Sequence, residues 1–254
     1  MKITILGSGT SQGVPVIACN CAVCESHDTM DKRLRSSVMV ESEGTRIVID
    51  AGPDFRQQML RQKVMQLDAI LITHCHKDHI AGLDDIRSFN YLFNKPMDIY
   101  ATERDQLAIR QEFSYAFHEN PYPGVPEFNM ITLPETLFKI GNMHIIPLEV
   151  FHMRMKVYGF RFGNFSYVTD ANMIPEKTME LMKGSDVIVI NALRKQPHVS
   201  HFNLEQAIDV IGKLKPKVAY LTHISHMMGK HADIEAELPP SVHMAYDGLE
   251  ILMD

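Results

Sequence analysis

The chain has 254 residues, 45 % of them hydrophobic, which supplies enough apolar material for one large domain and too much for a disordered chain. A formal charge of −6 leaves no basic footprint and argues against nucleic acid as the main partner. No apolar run is long enough to cross a bilayer, which excludes a membrane-spanning helix. The opening MKITILGSG reads as a short strand rather than a secretion signal. Three of the four cysteines crowd at Cys19, Cys21 and Cys24, a spacing that suits a metal better than disulfides and points to a cytoplasmic location.

Residues 2–6 alternate and predict a first strand. Gly7-Ser8-Gly9-Thr10-Ser11-Gln12-Gly13 follows as a polar loop of the kind that can turn backbone N–H groups toward an anion. It lacks the lysine of a P-loop. The three cysteines offer thiolates on one loop, and tetrahedral zinc needs a fourth ligand: His27 nearby, or a histidine from far along the chain. Residues 37–42 and 45–50 predict a hairpin about Glu43-Gly44 that ends in Asp50-Ala51-Gly52. Residues 54–62 predict a helix.

The apolar run 67–72 predicts a buried strand, and it opens onto LITHCHKDHIAGLDD, residues 71–85. Three imidazoles and one carboxylate, His74, His76, Asp78 and His79, fall within six residues. Side chains two apart at a strand end can share a side, so His74 and His76 can reach one ion. Asp78 and His79 are adjacent and can aim at a second point. One short loop can thus hold two metals close together, as two-metal hydrolytic sites require.

Helices are predicted over 84–93 and 103–113, with a strand at 96–100 between them. Residues 114–128 form an aromatic, proline-rich loop that can wall a pocket or join two copies, with His118 inside it. Strands follow at 130–133, 137–140 and 143–150. His144 lies within the last of these and His152 just past its end. A second hairpin, 157–162 with 165–169, turns about Gly163-Asn164 and ends in Asp170. A carboxylate there has two oxygens and can bridge two cations, which an imidazole cannot. A helix at 175–183 and a buried strand at 186–191 lead to His198 and His201. Asn203 caps a helix over 203–214. The strand 217–222 delivers His223, with His226 three residues on. A helix at 229–238 and a strand at 249–253 close the chain.

His74-Cys75-His76-Lys77-Asp78-His79 resembles the HxHxDH signature of the metallo-β-lactamase superfamily. The opening GSGTSQGVP, the cluster CNCAVC and the late THISH are similar to its phosphonate-pathway cyclic phosphodiesterases, the PhnP-like subgroup. The resemblance covers nearly the whole chain. It implies one domain over residues 1–254 with an α/β (α+β) fold, a four-layer αββα sandwich with the metals at one edge. It also implies a ligand set. His74, His76 and His152 would hold one divalent ion, Asp78, His79 and His223 the other, and Asp170 would bridge them. Zinc and manganese both suit these ligands. Asp50, in a DxG turn, would support the metal loop from behind. His226 would complete a structural zinc with Cys19, Cys21 and Cys24.

The expected function is hydrolysis of a small phosphate ester, cyclic esters included, by a hydroxide activated between the two metals. Asp78 belongs to the catalytic set with His201, which the resemblance makes the acid that protonates the leaving group. His198 is its competitor for that role. Other readings stay open: an RNA 3′-processing nuclease, disfavoured by the acidic charge and by Lys77 where such nucleases favour glycine; a thioester or lactone hydrolase; and a non-catalytic binding protein. The subgroup resemblance suggests a homodimer and no membrane partner.

Overall fold

The computed structural model describes residues 1–253. The first half of the chain supplies β1 (Lys2–Gly7), β2 (Ser37–Ser42), β3 (Thr45–Ile49), β4 (Ala69–Leu71), β5 (Met97–Ala101) and β6 (Phe128–Thr132). Around them run α1 (Phe55–Arg61), α2 (Lys77–Ile80), α3 (Arg87–Phe93) and α4 (Glu103–Glu112). The second half supplies β7 (Phe138–Ile140), β8 (Met143–His152), β9 (Met155–Phe162), β10 (Phe165–Val168), β11 (Val187–Asn191), β12 (Val218–Thr222) and β13 (Val242–Met244), with α5 (Glu176–Met182), α6 (Leu204–Leu214) and α7 (His231–Glu235). The last strand, β14 (Glu250–Leu252), returns to the first half. The described residues thus build two seven-stranded sheets, ordered β14-β1-β2-β3-β4-β5-β6 and β13-β12-β11-β10-β9-β8-β7.

Alternation along the strands explains the layering. In β2, Val38 and Val40 point between the sheets and Met39 points to the helices. In β3, Ile47 and Ile49 face inward and Val48 outward. Apolar residues on both faces mark strands covered on both sides. The inter-sheet core adds Phe160, Phe162 and Tyr167 from the second sheet. Phe55, Met59 and Ile109 of α1 and α4 cover the outside of the first sheet. Ala207, Val210, Ile211 and Leu214 of α6 cover the outside of the second at three- and four-residue spacing. The result is the four-layer αββα sandwich.

Chain direction gathers the chemistry at one edge. β3 and β4 run parallel, as do β10, β11 and β12, so Asp50, His74, Asp170 and His223 all follow strand ends on the same side. β8 is antiparallel to β9, which is antiparallel to β10, so His152 ends β8 on that side too.

Several expectations are corrected in detail. Residues 77–80 form a helical turn, α2, within the expected metal loop. Residues 83–86 form a 3-10 turn ahead of α3. His152 is the final residue of β8 rather than past its end. The helix expected over 229–238 shortens to α7, and β13 fills a segment where no strand was predicted. The Gly-rich loop does not cradle an anion with all its amides: the N–H groups of Ser8, Gly9, Thr10 and Gly13 donate to Asp247, Leu34, Ile224 and Thr10. No helix of the described residues is long and apolar enough to cross a membrane.

Candidate metal centre

Asp50 organises the first half of the site. It is fully buried and sits at φ 63. Its Oδ1 accepts from the Thr73 backbone N–H at 2.8 Å, and its Oδ2 from the Thr73 hydroxyl at 2.8 Å. His79 Nδ1 donates to the same Oδ2 at 2.6 Å. The Thr73 hydroxyl, its proton given to Asp50, can only accept, and it takes His74 Nδ1–H at 3.0 Å. These bonds fix the tautomers and leave Nε2 of both rings facing the opposite way. The turn after Asp50 fits tightly against α2, with Ala51 N donating to His79 O at 2.8 Å and Gly82 N to Ala51 O at 2.9 Å. Only glycine fits there. A Cβ on Gly52 would lie 2.0 Å from Asp78 O, and one on Gly82 2.0 Å from Gly52 O.

The second half brings His152, Asp170 and His223. Asp170 and His223 also adopt left-handed backbone, φ 58 and φ 56. His152 Nδ1 points at two carbonyls, Asp170 O at 2.9 Å and Ser200 O at 2.8 Å, so its Nε2 is free. His74 Nε2 and His76 Nδ1 approach to 3.0 Å, and the His76 and His152 rings are 5.2 Å apart. Asp170 spans the cluster. Its Oδ2 lies 3.3 Å from His79 Nε2 and 3.1 Å from His223 Nδ1, and its Oδ1 lies 3.1 Å from His201 Nε2. Donor atoms of Asp78, His79, Asp170 and His223 all fall within 4.8 Å of one another, as do those of His152, Asp170 and His201. The seven expected ligands and His201 therefore share one pocket. His198 stands behind His201 rather than at Asp170.

One atom tests whether this pocket suits a cation. His79 Nε2 is buried, 3.1 Å from Asp78 Oδ2 and 3.3 Å from Asp170 Oδ2, yet it hydrogen-bonds to neither. It aims between the two carboxylates, as a ligand around a shared ion does. The charge states agree. Burial opposes ionisation of Asp170, but His223 and His79 hold it well below the usual carboxylate range. His79 does the same for Asp78 against its burial. Burial, helped by His79, pushes His74 well down, and burial lowers His223 to about 4. His79 is the exception, since Asp170, Asp78 and Asp50 outweigh its burial and hold it well above its ordinary value. Ionised carboxylates beside neutral imidazoles are the donor state that a divalent cation requires, and His79 would have to release its Nε2 proton to join them.

The cysteine loop meets its partner from the far end of the chain. Cys19, Cys21 and Cys24 Sγ lie 3.3, 3.4 and 3.6 Å from His226 Nδ1, and the four form one convergent group without His27. All the cysteines are free thiols. The Cys24 backbone N–H, with His226, lowers Cys21 to about 6, while burial pushes Cys24 up to about 11. Sequence reasoning missed the hydroxyls around the pocket. Beside Thr73, Thr10 Oγ1 lies 3.2 Å from His223 Nε2 and Ser36 Oγ 3.2 Å from His223 Nδ1. Thr10 lies in the GSGTSQG loop, which was legible as a motif but not as a contact of His223.

An αββα sandwich with this donor set at its strand-end edge defines a hydrolase of the metallo-β-lactamase fold. Residues 45–224 match the family model of the beta-lactamase superfamily domain, and the chain belongs to that superfamily. It superposes with a TM-score of 0.93 on the crystal structure of a new diphosphatase from the PhnP family, at 39 % identity, covering 100 % of this chain and 98 % of that one. Zn(2+)-bound PqqB from Methylobacterium extorquens shares the fold at a TM-score of 0.79 and 19 % identity, over 100 % of both chains. A protein named octanoyltransferase from Porphyromonas gingivalis (strain ATCC BAA-308 / W83) is 39 % identical over 257 residues, which is 100 % of this chain. This chain spans 52 % of that relative's length.

Proposed function

We propose that this protein is a metal-dependent phosphodiesterase acting on small phosphate esters, cyclic ones included. The observation that carries the reading is the reach of Asp170, which faces the donor set through one oxygen and His201 through the other. His201, the proton donor on this reading, thus stands beside the place where two cations would sit. Likeness to a PhnP-family diphosphatase at 39 % identity supports phosphoryl chemistry.

His74, His76 and His152 would hold one ion, Asp78, His79 and His223 the other, with Asp170 shared, and zinc and manganese both suit the set. Bound there, divalent ions acidify water and neutralise charge on a phosphoryl oxygen. The chain does the rest. Asp50 fixes the His79 ring, and through Thr73 that of His74. The carbonyls of Asp170 and Ser200 fix His152. His201 presents Nε2–H to the leaving oxygen, which departs with that proton. Cys19, Cys21, Cys24 and His226 would hold a structural zinc that ties the N-terminal loop to the loop bearing His223.

The test is metal analysis with turnover of bis-p-nitrophenyl phosphate and a panel of cyclic phosphates, linear diesters, diphosphates, thioesters and lactones. His201→Ala keeps its metals and loses about 10²–10⁴-fold in turnover of esters with poor leaving groups. Loss of metal from that variant would make His201 a ligand, and absence of turnover on every phosphate ester would end the proposal. A second reading, acyl thioester hydrolysis, draws on the relative named octanoyltransferase. An octanoyl thioester in the panel decides between them, and pre-tRNA tests the nuclease.

A further inference from the structure

The segment between β11 and α6 carries more than His201. It is pinned on four sides. Arg194 Nη2 donates to Pro197 O at 3.0 Å, Asn172 Nδ2 to Val199 O at 3.0 Å, and Asn203 Nδ2 to Lys195 O at 3.1 Å. Phe202 N donates to Ala171 O at 2.8 Å. Within that frame three polar atoms meet. Ser200 Oγ lies 2.9 Å from His201 Nδ1 and 3.2 Å from His198 Nδ1, and the two ring nitrogens are 3.2 Å apart. Ser200 is buried and His198 half-buried.

Donor and acceptor rules order this cluster. His201 Nε2 faces Asp170 Oδ1 at 3.1 Å. An ionised carboxylate only accepts, so Nε2 carries a hydrogen. The Ser200 backbone N–H donates to His198 Nδ1 at 3.4 Å, so that nitrogen is an acceptor. The Ser200 hydroxyl can give it a second hydrogen bond, which turns the lone pairs of Oγ toward His201 Nδ1. An imidazole that gives up its Nε2 proton and stays neutral must carry a hydrogen on Nδ1 as well, and Ser200 Oγ accepts it. The consistent chain is His201 Nδ1–H to Ser200 Oγ, then Ser200 O–H to His198 Nδ1, leaving Nε2–H of His201 toward the metal pocket. Ser200 acts through its backbone too, since its carbonyl accepts from His152 Nδ1 at 2.8 Å. One residue thus orients an expected metal ligand with its main chain and the expected acid with its side chain.

We propose that Ser200 and His198 are positioning residues that take the Nδ1–H of His201 through the Ser200 hydroxyl and fix the angle of its ring. The proposal rests on the reading of His201 as proton donor. Neither residue touches the reacting atoms. Without them Nδ1–H has no acceptor, the ring turns, and Nε2–H faces the leaving oxygen only part of the time.

The experiment compares Ser200→Ala, His198→Ala and His198→Asn with the unaltered protein. Asn is chosen because its amide oxygen can accept where Nδ1 of His198 accepts. Methyl phenyl phosphate needs a protonated leaving group and methyl p-nitrophenyl phosphate does not. Both alanine variants lose about ten- to a hundredfold in kcat on the phenyl ester, with KM within about twofold, as removal of an orienting partner does. On the p-nitrophenyl ester they lose less than about threefold. His198→Asn recovers most of the phenyl-ester rate, and elemental analysis finds the same metal content in all four proteins. Histidine-selective 15N spectra of the zinc-loaded proteins show a slowly exchanging Nδ1–H on His201, lost to solvent exchange in the two alanine variants. Equal losses on both esters, loss of metal, or an unchanged Nδ1–H signal in Ser200→Ala would overturn the proposal. If the unaltered protein hydrolyses neither ester, the phosphodiesterase reading falls, and the 15N spectra alone decide whether Ser200 and His198 hold the ring.

Discussion

Removing the Asp50 carboxylate tests the reasoning about the pocket without touching an expected ligand. Asp50 accepts from three buried donors: Thr73 N–H and Thr73 O–H, each at 2.8 Å, and His79 Nδ1–H at 2.6 Å. In Asp50→Ala all three lose their acceptor in a place with no exposed surface. An orphaned buried donor costs about 1–3 kcal/mol, so the sum is about 2–6 kcal/mol even if one finds a replacement. That is a large part of the roughly 5–15 kcal/mol that holds a domain folded. Asp50→Asn keeps the shape but turns an N–H₂ toward one of the donors, and costs about 1–3 kcal/mol. Urea unfolding of EDTA-treated protein measures both. Metal retention after dialysis measures the second consequence, a loss of about 10–100-fold in affinity, because His79 is no longer held. A loss under about 1 kcal/mol in Asp50→Ala, with metal retained, would refute the account of how this site is built.

Acidification supplies a further test. Burial depresses His223 from 6.5 to about 4 in the metal-free fold, so between those values the unfolded chain binds a proton that the fold refuses. Stability therefore falls as pH drops from about 6.5 toward 4, by about 3 kcal/mol from this ring alone. Urea titrations of EDTA-treated protein at pH 7, 6 and 5 check the slope, and a flat profile contradicts it. Gly82→Ala would place a Cβ 2.0 Å from the Gly52 carbonyl oxygen. Calorimetry is expected to show a loss of about 1–3 kcal/mol, accompanied by weaker metal binding as α2 shifts. In the cysteine group, His226→Ala releases one equivalent of metal by elemental analysis. In chelator-treated protein the Cys21 thiol, lowered to about 6, is alkylated by iodoacetamide at neutral pH well ahead of Cys24, as peptide mapping would show.

The convergence of the expected ligands was legible because their signal is local or tied to strand ends. His74, His76, Asp78 and His79 stand within six residues, and Asp170 and His223 each close a β-branched or aromatic run. The sandwich came from the family resemblance, and apolar strands with no polar face, such as Val187–Asn191, agree with it. The partners that orient the ligands were not legible. Thr73, Ser36, Thr10 and Ser200 are ordinary hydroxyl residues in sequence, and only the meeting of two sheets shows which of them touch an imidazole. Helix α2 was hidden because four residues cannot display a 3.6-residue period. β13 was hidden because Val242–Met244 is three residues long and its role comes from pairing with β12.

Asp170 and His223 have a consequence for any attempt to harden this chain. Each holds a backbone conformation that glycine or asparagine adopts with less strain, at a penalty of about 1–2 kcal/mol per residue. Selection for heat resistance alone would therefore favour replacing two side chains of the proposed cation pocket. On that proposal, variants recovered this way melt later and lose turnover, so a useful directed-evolution screen has to score turnover in every round.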